Sequence, residues 1–326
     1  MNEYKVLIID GDYMMHRMLR QGNLRKLSYK VHGEEIPTGI IKGVFGTMYN
    51  LIKDFKPDTI YFCITGGTCQ FRRDIYPGYK VREDDGEFRK VDTENGEKFS
   101  SRFMLKSQTE VLREILPTFG IRVMSAPGFE ADDCGLYTAF LYNKDPNNYE
   151  VTLVSDDWDW AQICQYGSNI LRPMADNMHL TPENFKEVVG ISKELFIYQK
   201  ALLGDSSDKI PNAVKGLGAK TSEKLFNGIM TLDWKTISVD KILEVSGEFI
   251  SPRLSLLLKE NKKDFVRNLE LMAMTSGVCG KIYPYLKPVM TTPVKFDFNK
   301  ATIVANKYGM ESLSSLLVHP LMNKLS

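Results

Sequence analysis

The chain has 326 residues, 43% of them hydrophobic, and sets 42 Lys and Arg against 41 Asp and Glu for a formal net charge of +1. That length buries a sizeable core in one large domain or two smaller ones, and the near-neutral balance excludes capture of nucleic acid by global charge, leaving only local segregation of opposite charges. The five cysteines are odd in number and form no CxxC, and the four histidines are scattered, which excludes a disulfide framework and a zinc site and fits reduced, buried thiols in a cytosolic protein. The N-terminal MNEYKVLII meets Asp10 too early for a signal peptide or a membrane span, so the expected compartment is the cytoplasm.

Residues 4–9 (YKVLII) form a short apolar run ending at Asp10-Gly11. This predicts a buried parallel strand that delivers Asp10 at its C-terminal end, where open α/β sheets place their sites. Thr38 to Phe55 carry apolar residues near helical spacing, and TIYFCI at 59–64 reads as a second strand, giving a βαβ unit. Residues 71–102 hold dense charge of both signs and few aliphatics, and are expected to project from the core or to be mobile. Near their start Arg72, Arg73, Lys80 and Arg82 interleave with Phe71, Tyr76 and Tyr79, a composition that suits a single strand or a scissile phosphate. For any one of these residues a solvated charged loop is an equal account.

Helical periodicity returns from Phe103 to Phe119, IRVMSA at 121–126 reads as a third strand with FEADDCGLYTAFLY as its helix, and YEVTLVS at 149–155 as a fourth strand. From about Thr181 strands nearly vanish. The pattern divides an α/β core with a mainly parallel twisted sheet, 1–180, from a helical subdomain, 181–326, in which VCGKIYPYL at 278–286 is expected as an extended connection.

Eight carboxylates stand in four groups after apolar runs: Asp10; Glu130, Asp132 and Asp133 in FEADD; Asp157 and Asp159 in SDDWDW; Asp205 and Asp208 in GDSSD. Brought together, such charges repel, and Mg²⁺ or Mn²⁺, which prefers oxygen ligands, is the usual remedy; two such ions imply phosphodiester chemistry. An acidic helix cap explains one or two residues of FEADD but not three. Trp158 and Trp160, between and after the SDDWDW acids, are expected as core or wall rather than as base-stacking groups. After GDSSD, Gly216-Leu217-Gly218 followed by Ala219-Lys220-Thr221 at a helix start has the pattern of a helix-hairpin-helix over about 205–226, whose free N–H groups bind a DNA phosphate; a plain glycine turn is the bland alternative.

Taken in order, IIDGD, FRRDIYPGYK, FEADD, SDDWDW, GDSSDKIP and GLGAKT resemble the 5′-nuclease superfamily: flap endonucleases, the 5′ to 3′ exonuclease domain of bacterial DNA polymerase I, and phage ribonuclease H and exonuclease enzymes. The resemblance covers about residues 4–230. It implies that Asp10, Glu130 and Asp132 hold a first Mg²⁺, that Asp157, Asp159, Asp205 and Asp208 hold a second, and that Asp133 is shared. It further implies Mn²⁺ as a substitute, a K⁺ at the helix-hairpin-helix, and Lys80 and Arg82 as cations on the scissile phosphate at the base of an arch over 83–105. DNA contacts are expected from Arg72, Arg73, Tyr79, Lys215, Gly216, Gly218, Lys220 and Thr221. The implied substrates are flapped or branched duplex DNA and RNA–DNA hybrid in replication. The implied setting is a monomer with no membrane, alongside a polymerase or a single-strand-binding protein.

Two departures stand out. Thr65-Gly66-Gly67 follows the second strand where the family has an Asp of the first metal site, and Arg82 follows Lys80 by two residues rather than three. Thr65 supports an alternative, a catalytically weakened flap binder. Asp10 and Asp12 support another, a haloacid-dehalogenase-type phosphatase, although Met14 stands where such enzymes carry Thr or Val.

Overall fold

The computed structural model describes residues 4–81, 99–173, 177–233 and 236–310, together with Met322. Its centre is a six-stranded sheet of β1 (Tyr4–Asp10), β4 (Thr59–Cys63), β5 (Ile121–Met124), β6 (Tyr149–Val154), β7 (Asn169–Arg172) and β8 (Met178–Leu180). The strand order is β5-β4-β1-β6-β7-β8, and every neighbouring pair is parallel except β7 with β8. The chain builds outward from β1 on one side through β4 and β5, then returns to build outward on the other through β6. The reversal puts a topological switch point beside β1, and Asp10, paired with Cys63, ends β1 at that crevice.

Alternation along β1 divides the core. Leu7 and Ile9 face one buried cluster with α1 (Gly11–Leu19), α3 (Gly39–Phe55), α5 (Ser101–Ile115) and α14 (Phe298–Lys307). Val6 and Ile8 face the other, with α6 (Ala131–Tyr142), the 3₁₀ segment Trp158–Tyr166, α8 (Lys193–Leu203), α9 (Ala219–Ile229), α10 (Val239–Phe249), α11 (Pro252–Glu260), α12 (Lys262–Met272) and α13 (Ser276–Thr291). Short helices α2 (Gly22–Arg25), α4 (Gln70–Ile75) and α7 (Phe185–Val189) complete the set. Among the described residues no strand follows Leu180, yet the second cluster runs across the expected division near residue 180 without a break. All five cysteines are free and buried, and among the described residues no helix is long and apolar enough to cross a membrane.

Two expectations are corrected, and some short strands are additions to the sequence reading. Residues 278–286 are not extended: they lie inside α13, which keeps Pro284 and Pro288 within a helix. Val278, Ile282 and Leu286 recur at helical spacing and are buried, and burying that stripe outweighs the lost backbone hydrogen bonds. The antiparallel hairpin of β2 (Ser28–Val31) and β3 (Glu34–Pro37), the strand β7 and the edge strand β8 were not anticipated, because their short runs lack a clear apolar period. Finally, residues 71–81 do not project. Tyr79 packs with Ile197, Ile210 and Leu271, and α4 buries Arg72. Arg82 and most of the arch expected over 83–105 lie outside the described residues; its C-terminal end begins α5, anchored by the buried Met104.

Candidate metal centre

Four chain segments meet at the C-terminal edge of the sheet. Asp10 is buried at the end of β1; its Oδ1 accepts from the Tyr13 N–H at 3.0 Å and its Oδ2 from the Ser155 hydroxyl at 2.7 Å. Burial pushes its carboxyl up to about 7, against the lowering effect of those two bonds. Both oxygens are oriented from within the core.

The first acidic group is Glu130, Asp132 and Asp133 at the start of α6, with one oxygen of each within 4.8 Å of the others. Glu130 accepts from Lys80 Nζ at 2.8 Å, the Tyr79 hydroxyl at 2.6 Å and Arg72 Nη1 at 3.1 Å. Burial works to raise the Glu130 carboxyl, but the Lys80 and Arg72 charges outweigh it and hold it below the usual range. Asp132 has no cation to itself, and burial followed by the Asp133 and Glu130 charges drives it well above that range.

Asp133 was expected as a shared metal ligand. Arg72 holds it: the guanidinium donates to its two oxygens at 2.7 and 2.8 Å, and Asp133 Oδ2 also accepts the Glu130 N–H at 3.0 Å. Asp133 is 0% and Arg72 3% exposed. The same burial corrects the expected DNA contacts of Arg72 and Tyr79, whose polar ends point into this network and not to solvent.

The second group, Asp159, Asp205 and Asp208, also gathers within 4.8 Å. Asp205 and Asp208 sit on a tight loop closed by reciprocal backbone bonds, Asp205 N–H to Ile210 O at 2.9 Å and Ile210 N–H to Asp205 O at 2.8 Å. Gly204 enters that loop at φ +70°, where a Cβ would lie 2.5 Å from the Ile210 carbonyl. Lys200 bridges the group, donating to Asp159 Oδ1 and lying 3.2 Å from Asp205 Oδ2. Burial raises Asp208 to about 6 against the Lys80 charge, and raises Asp159 against Lys200. Burial also works on Asp205, but its bonds to Ser207 and the Lys200 charge leave it lowered. Asp157 caps the 3₁₀ segment, accepting the Asp159 N–H at 2.8 Å, and is exposed.

Two ammonium groups thus hold the acidic row together: Lys80 reaches Glu130 and, at 3.5 Å, Asp208, while Lys200 reaches Asp159 and Asp205. At an effective dielectric of about 20, a pair of carboxylates about 5 Å apart repels by about 3 kcal/mol, so positive charge is needed in both places. The donor set is all oxygen, which fits a hard divalent cation. Sequence reasoning missed Lys200, an ordinary-looking lysine of an amphipathic helix whose one signal is its place five residues before Asp205.

At Thr65 the expected carboxylate is replaced in space as well as in sequence. The Thr65 hydroxyl accepts the Ala131 N–H at 3.1 Å, while Asp12 receives the Thr65 N–H at 3.2 Å. Asp12 lines a cavity of about 550 Å³ with His16, Thr65, Arg73, Lys80 and Glu130. Further along, Lys215, Gly216, Gly218 and Lys220 are exposed and Thr221 is half-buried at the start of α9; α8 is the preceding helix, joined through residues 204–218.

The N-terminal, resolvase-like domain of 5′-3′ exonucleases matches residues 5–190, more than half of the chain. The chain therefore belongs to the 5′-3′ exonuclease family. It is 27% identical to the 5′-3′ exonuclease of Bacillus subtilis over 72% of this chain and 73% of that protein. It is 27% identical to DNA polymerase I of the same organism over 82% of this chain, but spans only 27% of that larger protein. Its fold matches the bacteriophage T5 D15 flap endonuclease, solved as a pseudo-enzyme-product complex with DNA and metal ions, with a TM-score of 0.63 at 18% identity over 93% of this chain and 98% of that one.

Proposed function

We propose that this chain is a divalent-metal-dependent 5′-nuclease that hydrolyses phosphodiesters in flapped DNA or RNA primers. The observation that carries the reading is the pair of all-oxygen carboxylate groups at the switch point, joined to each other by the Lys80 ammonium, with Lys200 bridging the second. Asp10, Asp12, Glu130 and Asp132 would hold one Mg²⁺ and Asp157, Asp159, Asp205 and Asp208 another, with Mn²⁺ as a substitute. Bound there, the ions would activate water for in-line attack and neutralise charge on the phosphoryl oxygens.

The chain's own residues do the rest. Lys80 lies at the junction of the two groups, where its ammonium meets charge growing on a phosphoryl oxygen; held by Glu130 it needs little reorganisation. Ser155 and Tyr13 orient Asp10, and Arg72 orients Glu130 through Asp133. At the α9 N-terminus the exposed backbone at 218–220 suits a duplex phosphate, with a K⁺ beside the Gly216 turn as part of the same proposal. Residues 181–326 act as the DNA-binding subdomain. Cleavage leaves 5′-phosphate and 3′-hydroxyl ends, a product suited to primer removal in replication by a cytoplasmic monomer working beside a polymerase or a single-strand-binding protein.

A labelled 5′-flap duplex incubated with Mg²⁺ tests this. The nuclease shortens it; a weakened binder shifts it intact, and that result overturns the enzyme reading.

A further inference from the structure

The acidic row is flanked on its β6 side by an aromatic group that the metal chemistry does not use. Trp158 lies between Asp157 and Asp159, and although expected as core or wall it keeps 39% of its surface exposed. Two residues on, Trp160 is 1% exposed and packs in the core as expected. Trp158 is thus partly covered and partly open, and its ring is held by two side chains. The Arg172 guanidinium carbon lies 3.5 Å from its ring centroid, and Phe196 packs at 6.5 Å. Arg172 is itself held, its Nη2 donating to the Asp156 carbonyl at 2.7 Å and its Nε lying 3.9 Å from the Asp156 carboxylate, while neither Nε nor Nη1 makes a hydrogen bond. Leaving buried donors unpaired has a cost, and what the arrangement gains is a cation seated under an indole.

We infer that Trp158, backed by Arg172, is a stacking platform for a nucleobase adjacent to the scissile phosphate. This rests on the nuclease reading and adds a positioning residue to it. Every base presents a π-face, so an aromatic ring beside a phosphate-processing site takes up a strand without reading its sequence. The guanidinium fixes the ring in advance, so little side-chain freedom is lost when a base arrives. Its positive charge also offsets the neighbouring Asp156 and Asp157 carboxylates, which would otherwise repel an approaching polyanion. Lys80 sits between the two acidic groups and Trp158 beside Asp157 and Asp159, so a strand crossing the carboxylates meets a phosphate contact within the row and a base contact at its flank.

The test is a coupling cycle between protein and DNA. Binding of a fluorescent 5′-flap duplex is measured by anisotropy in Ca²⁺, for the full chain and for W158A and W158F, with abasic sites placed one nucleotide at a time around the junction. The natural chain should lose about tenfold in affinity at one abasic position. W158A should bind the intact flap about tenfold more weakly and be indifferent to that same abasic site, while W158F recovers part of the loss. Equal sensitivity of W158A and the natural chain to every abasic position overturns the inference, as does unchanged affinity of W158A; retained Trp158 exposure with no DNA effect would then assign the ring to a protein contact. Cleavage of the intact flap by the natural chain in Mg²⁺, run alongside, separates the two readings: cutting without coupling sinks only the platform, and neither cutting nor binding sinks both.

Discussion

The two acidic groups are built from the same residue types but on different principles. Glu130, Asp132 and Asp133 follow one another at a helix start, and Arg72 locks two of them into the core with a charge pair that is almost wholly buried. Asp159, Asp205 and Asp208 come from a 3₁₀ segment and a loop, are half-buried, and are held by lysine side chains, Lys200 at Asp159 and Asp205 and Lys80 at Asp208. The first group is welded into the fold; the second is assembled on its surface. Charge removed from the first should therefore be read in stability, and charge removed from the second in metal binding and catalysis.

The largest effect expected from that contrast is at Arg72. Arg72→Met leaves Asp133 charged and fully buried, at a cost of about 3–5 kcal/mol. Urea unfolding measures it, and a loss under about 1 kcal/mol would show that Asp133 has another cation. In the second group, Asp205→Asn should lower flap cleavage about 100-fold, about 3 kcal/mol of barrier, while unfolding stability stays within about 1 kcal/mol. A comparable fall in stability would erase the distinction between the groups. Asp157→Asn should behave likewise, with flap binding nearly intact.

Asp12 sharpens the comparison within the first group. If it stands in for the carboxylate missing at Thr65, Asp12→Asn should weaken Mg²⁺ binding about tenfold by calorimetry, and Thr65→Asp in the same background should restore it. Unchanged binding in Asp12→Asn assigns Asp12 to holding the Thr65 backbone alone.

A smaller, graded effect follows from Asp10, raised to about 7, and Asp208, raised to about 6, in both cases mainly by burial. Both lie above the unfolded value of about 3.9, so between those limits the folded chain holds protons that the unfolded chain has released. For these groups the metal-free stability is fullest below the unfolded value and is lost as pH rises through about 6 to 7, while Mg²⁺, which needs ionised carboxylates, binds better over the same range. Melting temperature with and without Mg²⁺ should therefore diverge from about pH 5 to about pH 8. A constant gap would show that neither group meets the ion.

The smallest effect is at Gly218. A Cβ there would meet nothing within 4 Å, so Gly218→Val should fold normally and weaken duplex binding only several-fold, by crowding an approaching phosphate. Unchanged affinity across a salt titration removes the helix-hairpin-helix from the interface.

Residue order by itself determined the parallel core strands, the helices between them and the position of each acid after an apolar run, because apolar periodicity and strand ends are local properties of the chain. It also carried the family, through six motifs in sequence. Which cation serves which carboxylate was decided only by the tertiary structure. Arg72 meets Asp133 across 61 residues, Lys80 meets Glu130 across 50, and Lys200 meets Asp159 across 41. No local pattern marks a cation as inward-facing; α4 buries Arg72 because its neighbours pack around it, and the same basic-aromatic composition would equally suit a solvated loop. Trp158 and Trp160 make the point at closest range. Two residues apart in one 3₁₀ segment, one fills the core and the other stays open, since only the fold sets which side of that segment has a core to fill.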